Sequence, residues 1–172
     1  MKNVFSLLII VLLFSSLAAL PTNAQDAENS RNYADYSFGL NLSNVSGLGL
    51  SYRIFIGDKA GVQLTGGIIA TTSQTSYSGG FELQYALSRT PNYRVFVGPA
   101  FGVYGSSADK DIPSSQAQSD FNAGLGLGLE VPILGSSVRN QLVGSLTIYY
   151  PTFYTSEGTI SFGIGAGVHY NF

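Results

Sequence analysis

Few side chains in this sequence are equipped for chemistry. His169 is the single histidine, and cysteine is absent. Without thiols there can be no disulfide framework, thiolate metal site or cysteine nucleophile. A lone imidazole can act as a general base only beside a hydroxyl nucleophile and an orienting acid. That nucleophile–base geometry is not expected to assemble here, so His169 reads as a polar filler rather than a catalytic group. The expected catalytic, cofactor and metal sets are all empty. Asp109, Lys110 and Asp111 could suggest a cation site, but their polar surroundings describe a solvated loop tip. The runs Gly124-Leu-Gly-Leu-Gly-Leu129 and Gly163-Ile-Gly-Ala-Gly-Val168 look at first like phosphate-cradling loops. They are strict two-residue repeats with no helix after them, so the dinucleotide motif does not apply. Two glycosylation sequons, at Asn41 and Asn44, read as accidental matches. What remains is a set of four charges, Arg53, Glu82, Arg94 and Glu130, whose formal sum is zero. Together they could line an ion pathway or form a salt-bridged plug. A buried charge left without its mate costs about 3–5 kcal/mol, so pairing is expected, with Arg94 and Glu130 as the nearest candidates.

Composition says what kind of frame must hold these groups. Charged residues are 10% of the 172-residue chain, against roughly 25% in soluble domains. Hydrophobic residues are 45%, which excludes polar disorder. The net charge of −2 offers no basic footprint for nucleic acid. The N-terminus has Lys2, an apolar run from Leu7 to Phe14 and small residues at Asn23-Ala24 and Thr22. This is the order of a secretory signal peptide, expected to span 1–24. The apolar block is short for a helix crossing ~30 Å of hydrocarbon. Residues 25–32 (QDAENSRN) form a polar lead-in, and 33–172 form the folded unit.

That unit alternates with period two. Ile160, Phe162, Ile164, Ala166, Val168, Tyr170 and Phe172 are apolar, while Ser161, Gly163, Gly165, Gly167, His169 and Asn171 between them are small or polar. Phe121 to Ile133 repeats the pattern. Helical periodicity would mix the two sets within two turns, so these are strands. The same test places about eight strands near 33–42, 47–56, 60–71, 76–88, 93–104, 119–133, 141–154 and 158–172. Each range is long enough to cross a bilayer at a tilt, which takes ~9–11 residues.

Charge decides which face meets which solvent. Within these strands Arg53, Glu82, Arg94 and Glu130 share the polar parity with Gln63, Gln84, Asn41, Asn122 and His169. So do most of the glycines, which pack nothing on an exposed face but suit a narrow barrel interior. The apolar parity then faces lipid. An open edge in hydrocarbon would leave backbone groups unsatisfied, so the sheet must close. The expected fold is all-β, an eight-stranded antiparallel up-and-down transmembrane β-barrel. With the termini on the periplasmic side, the long 105–119 connector falls outside the cell. Interface belts are expected from Tyr36, Tyr52, Phe55, Tyr85, Tyr93, Tyr170 and Phe172 at one end and from Tyr77, Tyr104, Tyr149, Tyr150, Phe153 and Tyr154 at the other. Pro99 and Pro151 should each mark a bulge, since a closed barrel has no free edge. Phe96, Ile69 and Val143 interrupt the inward polar parity.

The signal peptide, the amphipathic strands and the ending Ala166-Gly-Val168-His-Tyr170-Asn-Phe172 resemble the small outer-membrane β-barrel proteins of Gram-negative bacteria, the OmpA/OmpX-like and opacity-porin-like group. The resemblance implies a bacterial outer-membrane location after Sec-type export. It also implies that Ile164, Ala166, Val168, Tyr170 and Phe172 serve as the C-terminal signal read by the barrel-insertion machinery. Lipid is the expected solvent of the exterior, no cofactor or nucleic acid is expected, and a monomer is the expected state. The lipid A deacylases among outer-membrane barrels use a His-x-Ser pairing that this sequence lacks. The leading expectation is a non-enzymatic barrel with a structural or surface-interaction role and a mostly blocked polar lumen. The alternatives are a small pore or solute-binding channel, and, further off, a lipid-modifying enzyme.

Overall fold

The computed structural model describes residues 36–71, 75–107, 118–135, 140–155 and 160–172. The signal peptide at 1–24, the lead-in at 25–32 and Asp109 to Asp111 lie outside the described residues. Eight strands follow one another: β1 (Tyr36–Ser43), β2 (Leu48–Ile56), β3 (Ala60–Ala70), β4 (Thr75–Arg89), β5 (Arg94–Ser106), β6 (Gln118–Leu134), β7 (Gln141–Tyr154) and β8 (Ile160–Asn171). Each pairs antiparallel with its sequence neighbour, and β1 pairs with β8 from Ser37↔Asn171 to Ser43↔Gly165, so the barrel is closed. Closure gives every strand two partners and removes the edge that hydrocarbon would punish. Among the described residues no helix is long and apolar enough to cross a membrane. We call the end where β1 begins and β8 finishes basal, and the other end apical.

The alternation reads out directly as two surfaces. Leu40, Leu42, Leu50, Leu64, Leu127, Leu129, Ile148, Phe162 and Ile164 are exposed on the outside. Arg53, Gln63, Glu82, Gln84, Arg94, Asn122, Glu130 and His169 are buried inside. This inverts the soluble pattern, in which charge faces out. Outside, aromatic rings stack across strands. Tyr36 meets Tyr52 and Phe172 at 6.3 and 6.2 Å basally, and Tyr150 meets Phe162 at 4.6 Å apically. A ladder of Phe81, Phe101 and Phe121 runs across β4, β5 and β6 at 5.0 and 6.3 Å.

Four rings assigned to the belts lie elsewhere. Phe55 and Tyr149 are buried in the lumen, and the Tyr104 and Tyr154 hydroxyls turn to the 43–47 loop, accepting from Gly47 N and Asn44 Nδ2, each at 2.8 Å. Phe55 and Tyr149 share the parity of Arg53 and Gln141, so the pleat carries them inward whatever their type.

The prolines behave differently from each other. At Pro151 both flanking ladders shift register, between Gly124 and Gly126 on β6 and between Tyr149 and Thr152 on β7, so a bulge is present. At Pro99 there is none. Its pairing with Leu125 stays in register, and on the β4 side the register at Glu82↔Ala100 resumes unchanged at Tyr85↔Val97. The missing N–H is absorbed by a local gap in pairing. The shift in that ladder lies further on, between Ala86 and Ser88. Phe96 and Val143 are buried inside, whereas Ile69 is 56% exposed because it stands at the apical rim.

Candidate functional site

Among the described residues the lumen concentrates the polar chemistry, and it is organised on two levels. The basal level is charged. β2, β5 and β6 point Arg53, Arg94 and Glu130 inward. Both arginines converge on one carboxylate oxygen: Arg53 Nη1 donates to Glu130 Oε2, and Arg94 Nη2 donates to the same atom at 3.2 Å. Gln63 Oε1 accepts from Arg53 Nε at 3.1 Å and Nη2 at 2.8 Å. Gln84 links the arginines to the remaining acid, accepting from Arg94 Nη2 at 2.7 Å and donating to Glu82 Oε1 at 2.7 Å. The hydrogen bonds described to Glu82 thus come from neutral donors, Gln84 and the Tyr149 hydroxyl, the latter at 2.5 Å. Of the four charges, three form one ion-paired cluster and Glu82 joins it through an amide.

Aromatic faces complete the basal level. The Phe55 ring lies under the guanidiniums of Arg89 and Arg94 at 4.6 and 4.7 Å, with Arg53 at 5.7 Å. Arg94 also lies 4.6 Å from the centre of the Phe96 ring. A ring face attracts a desolvated cation, which is why an apolar residue is useful among these charges. The rings need space, and glycines provide it. A Cβ at Gly128 would run into the Phe96 ring, and one at Gly126 would come within 2.8 Å of Tyr149 Cε1.

His169 lies in this level, fully buried, and a hydroxyl does meet it. Ser51 Oγ is 3.0 Å from Nε2, against the expectation that no nucleophile–base pair could assemble. The pair points the wrong way for catalysis. Arg53 Nη2 lies 3.2 Å from Nδ1, and a guanidinium can only donate. Nδ1 must therefore accept, the proton sits on Nε2, and His169 donates to Ser51. In a Ser–His–Asp triad the acid receives Nδ1–H and leaves Nε2 free to take the serine proton. Arg53 imposes the opposite tautomer.

The apical level contains no charge, and it comes from a loop rather than from strands. Residues 43–47 between β1 and β2 fold into the barrel, leaving Val45 and Ser46 with no exposed surface. Ser43 Oγ accepts from the backbone amides of Val45 and Ser46 at 3.1 and 3.0 Å, a serine-nucleated turn. Gly47 at φ +99° and Gly49 at φ +140° return the chain to β2 through backbone that side chains disfavour. The loop then reaches four strands across the lumen. Tyr104 of β5 accepts from Gly47 N at 2.8 Å and donates to Ser43 O. Asn122 of β6 donates to Asn44 O, and Asn44 donates to Tyr154 of β7, each at 2.8 Å. Ile164 N of β8 donates to Asn44 Oδ1 at 2.8 Å. Val45 packs with Ala100 and Tyr149 in a small buried apolar cluster. Ser46 Oγ lies 3.1 Å from the Tyr149 hydroxyl, so one tyrosine joins the loop to Glu82 and hence to the charged level.

At the apical ends of β3, β4 and β5 the described residues leave a vestibule of about 380 Å³ lined by Ile69, Ser76, Ser78, Tyr104 and Asp120, among others. The 43–47 plug is what sequence reasoning missed. Its signal was a single valine between polar residues in a predicted turn, Asn44-Val-Ser-Gly47. At the closing seam, Ile164, Ala166, Val168, Tyr170 and Phe172 all face outward, and Phe172 N donates to Tyr36 O at 3.0 Å.

No protein-family model matches the chain, nor does any curated protein. Among solved structures the fold is similar to that in the crystal structure of the N-terminal β-barrel domain of Pseudomonas aeruginosa OprF. The match has a TM-score of 0.53 at 17% identity and covers 80% of this chain and 95% of that one. The architecture the two share is a closed, antiparallel eight-stranded β-barrel.

Proposed function

We propose that the protein is a bacterial outer-membrane barrel with a non-conducting lumen and a structural or surface-interaction role, without catalysis. The observation that carries this reading is the double crossing of the lumen. The Arg53–Glu130–Arg94 cluster spans it basally and the inserted 43–47 loop spans it apically. The exposed apolar girdle fits lipid contact, and the fold shared with the OprF barrel domain supports an outer-membrane setting. In that setting the basal end faces the periplasm and the apical end the exterior. Residues 1–24 act as the export signal, and Ile164, Ala166, Val168, Tyr170 and Phe172 as the insertion signal. The four lumen charges Arg53, Glu82, Arg94 and Glu130 are a structural network rather than an ion pathway. The inverted His169 tautomer supports the non-catalytic reading, since the imidazole cannot take the Ser51 proton.

Planar-bilayer recording of the purified, folded barrel tests the proposal. A bilayer with inserted barrel and no resolvable current steps is expected. Steady, ion-selective steps would overturn the blocked-lumen reading in favour of a small pore.

A further inference from the structure

The two closures differ in whether they can leave. Removing the basal one would separate buried ions. The apical one holds no charge, belongs to a loop, and returns to β2 through glycines with positive φ. Its ties are hydrogen bonds between neutral groups that water could replace, plus one small apolar side chain. Tyr104, which holds the loop, also lines the vestibule, so among the described residues an outward swing leads towards it.

We infer that residues 43–47 are a latch: they lift out of the lumen into the apical vestibule and give external solutes access to the chamber floored by Tyr149 and Glu82. The latch rests on the blocked-lumen reading at its apical level only. Ala100 lies directly beneath the loop, fully buried against Val45 and Tyr149, so it becomes reachable from outside when the loop lifts. Tyr104 and Asn122 are the ties whose loss should favour lifting, because each bonds the loop backbone from a different strand. Gly163 marks where the loop can be locked, since a Cβ built there lies 2.5 Å from Val45 Cγ2. A disulfide between cysteines at the two positions would tie the loop to β8.

The natural absence of cysteine makes the test direct. Ala100→Cys, in vesicles carrying the folded barrel, is treated from outside with a small water-soluble methanethiosulfonate. Ser107→Cys at the exposed rim is the reference. Labelling of a buried thiol follows the population of the open form. Slow but complete labelling of position 100 is expected, well below the rim rate. It should rise about tenfold with Tyr104→Phe or Asn122→Ala, the factor one ordinary hydrogen bond supplies. Oxidising a Val45→Cys/Gly163→Cys pair in the same background should stop it, and reduction should restore it; this arm needs neither untethering variant to fold. Labelling at the rim rate in the parent, equal rates in parent and untethered variants, or labelling indifferent to the cross-link would each overturn the latch. Those outcomes leave the bilayer recording untouched, whereas steady current in the parent would sink the blocked lumen itself.

Discussion

The basal and apical halves of the lumen close the same tube by opposite means. Basally, strand-borne side chains meet across the bore, with two guanidiniums on one carboxylate and phenyl rings beneath the cations. Apically, backbone from a loop fills the bore and the side chains of the surrounding strands hold it. The first arrangement is fixed because each member is anchored in a ladder and cannot leave without stranding a partner. The second can be withdrawn, because every bond its withdrawal breaks joins neutral groups. The contrast teaches that a narrow barrel has two routes to a filled interior, and that only one depends on charge.

Glu130→Gln attacks the basal half at its shared carboxylate. Both arginines stay buried without a counter-ion, and a loss of about 3–5 kcal/mol is expected. Loss of β-sheet circular dichroism in urea would measure it, since the chain has no tryptophan. A loss below that of the apical substitutions would break the comparison. Tyr149→Phe removes the hydroxyl that joins the halves and takes one donor from the Glu82 carboxylate. It should cost about 1.5–3 kcal/mol, the range for hydrogen bonds to charged groups.

Gly128→Ala pushes a methyl into the Phe96 ring, an overpacking worth about 1–3 kcal/mol. Phe96→Leu in the same chain should recover part of it, and strictly additive losses would mean the glycine does not make room for that ring. Leu127→Ala on the exterior opens no cavity, because lipid fills what the side chain covered, so only the lost transfer of its trimmed carbons, about 1–2 kcal/mol, is expected. A loss of about 3 kcal/mol or more, as for a cavity in a packed core, would mean that protein, not lipid, packs on that face. Val45→Ala trims the apical knob and should cost about 1 kcal/mol, the low end for shortening a buried aliphatic side chain.

Parity made the walls legible. The strict alternation of β8 and β6 could be read residue by residue, and it assigned Arg53, Glu82, Arg94, Glu130 and His169 to the inside, where they lie buried. What parity cannot supply is reach. That Arg53 on β2 shares Glu130 with Arg94 depends on side-chain length across the bore, and the sequence shows only a face. Phe55 and Tyr149 were misplaced for a different reason: residue type was weighed above register, although Phe55 sits two residues from Arg53. The Asn44-Val-Ser46 segment failed because a turn has no period to read. Pro99 shows that a ladder can drop a hydrogen bond without shifting, while Pro151 shifts both of its neighbours.

The strands differ in length around the circumference. β1 and β2 have 8 and 9 residues, whereas β4 has 15 and β6 has 17. At about 3.4 Å per residue and a tilt near 40°, β1 reaches only about 20 Å along the membrane normal. The β4–β6 side is nearly twice as tall. The apical ends of the long strands are polar, Thr75-Ser76 on β4 and Ser119-Asp120 on β6, so the added length there does not extend the apolar girdle. The height of that girdle is set by where the apolar parity stops, not by where the strands end.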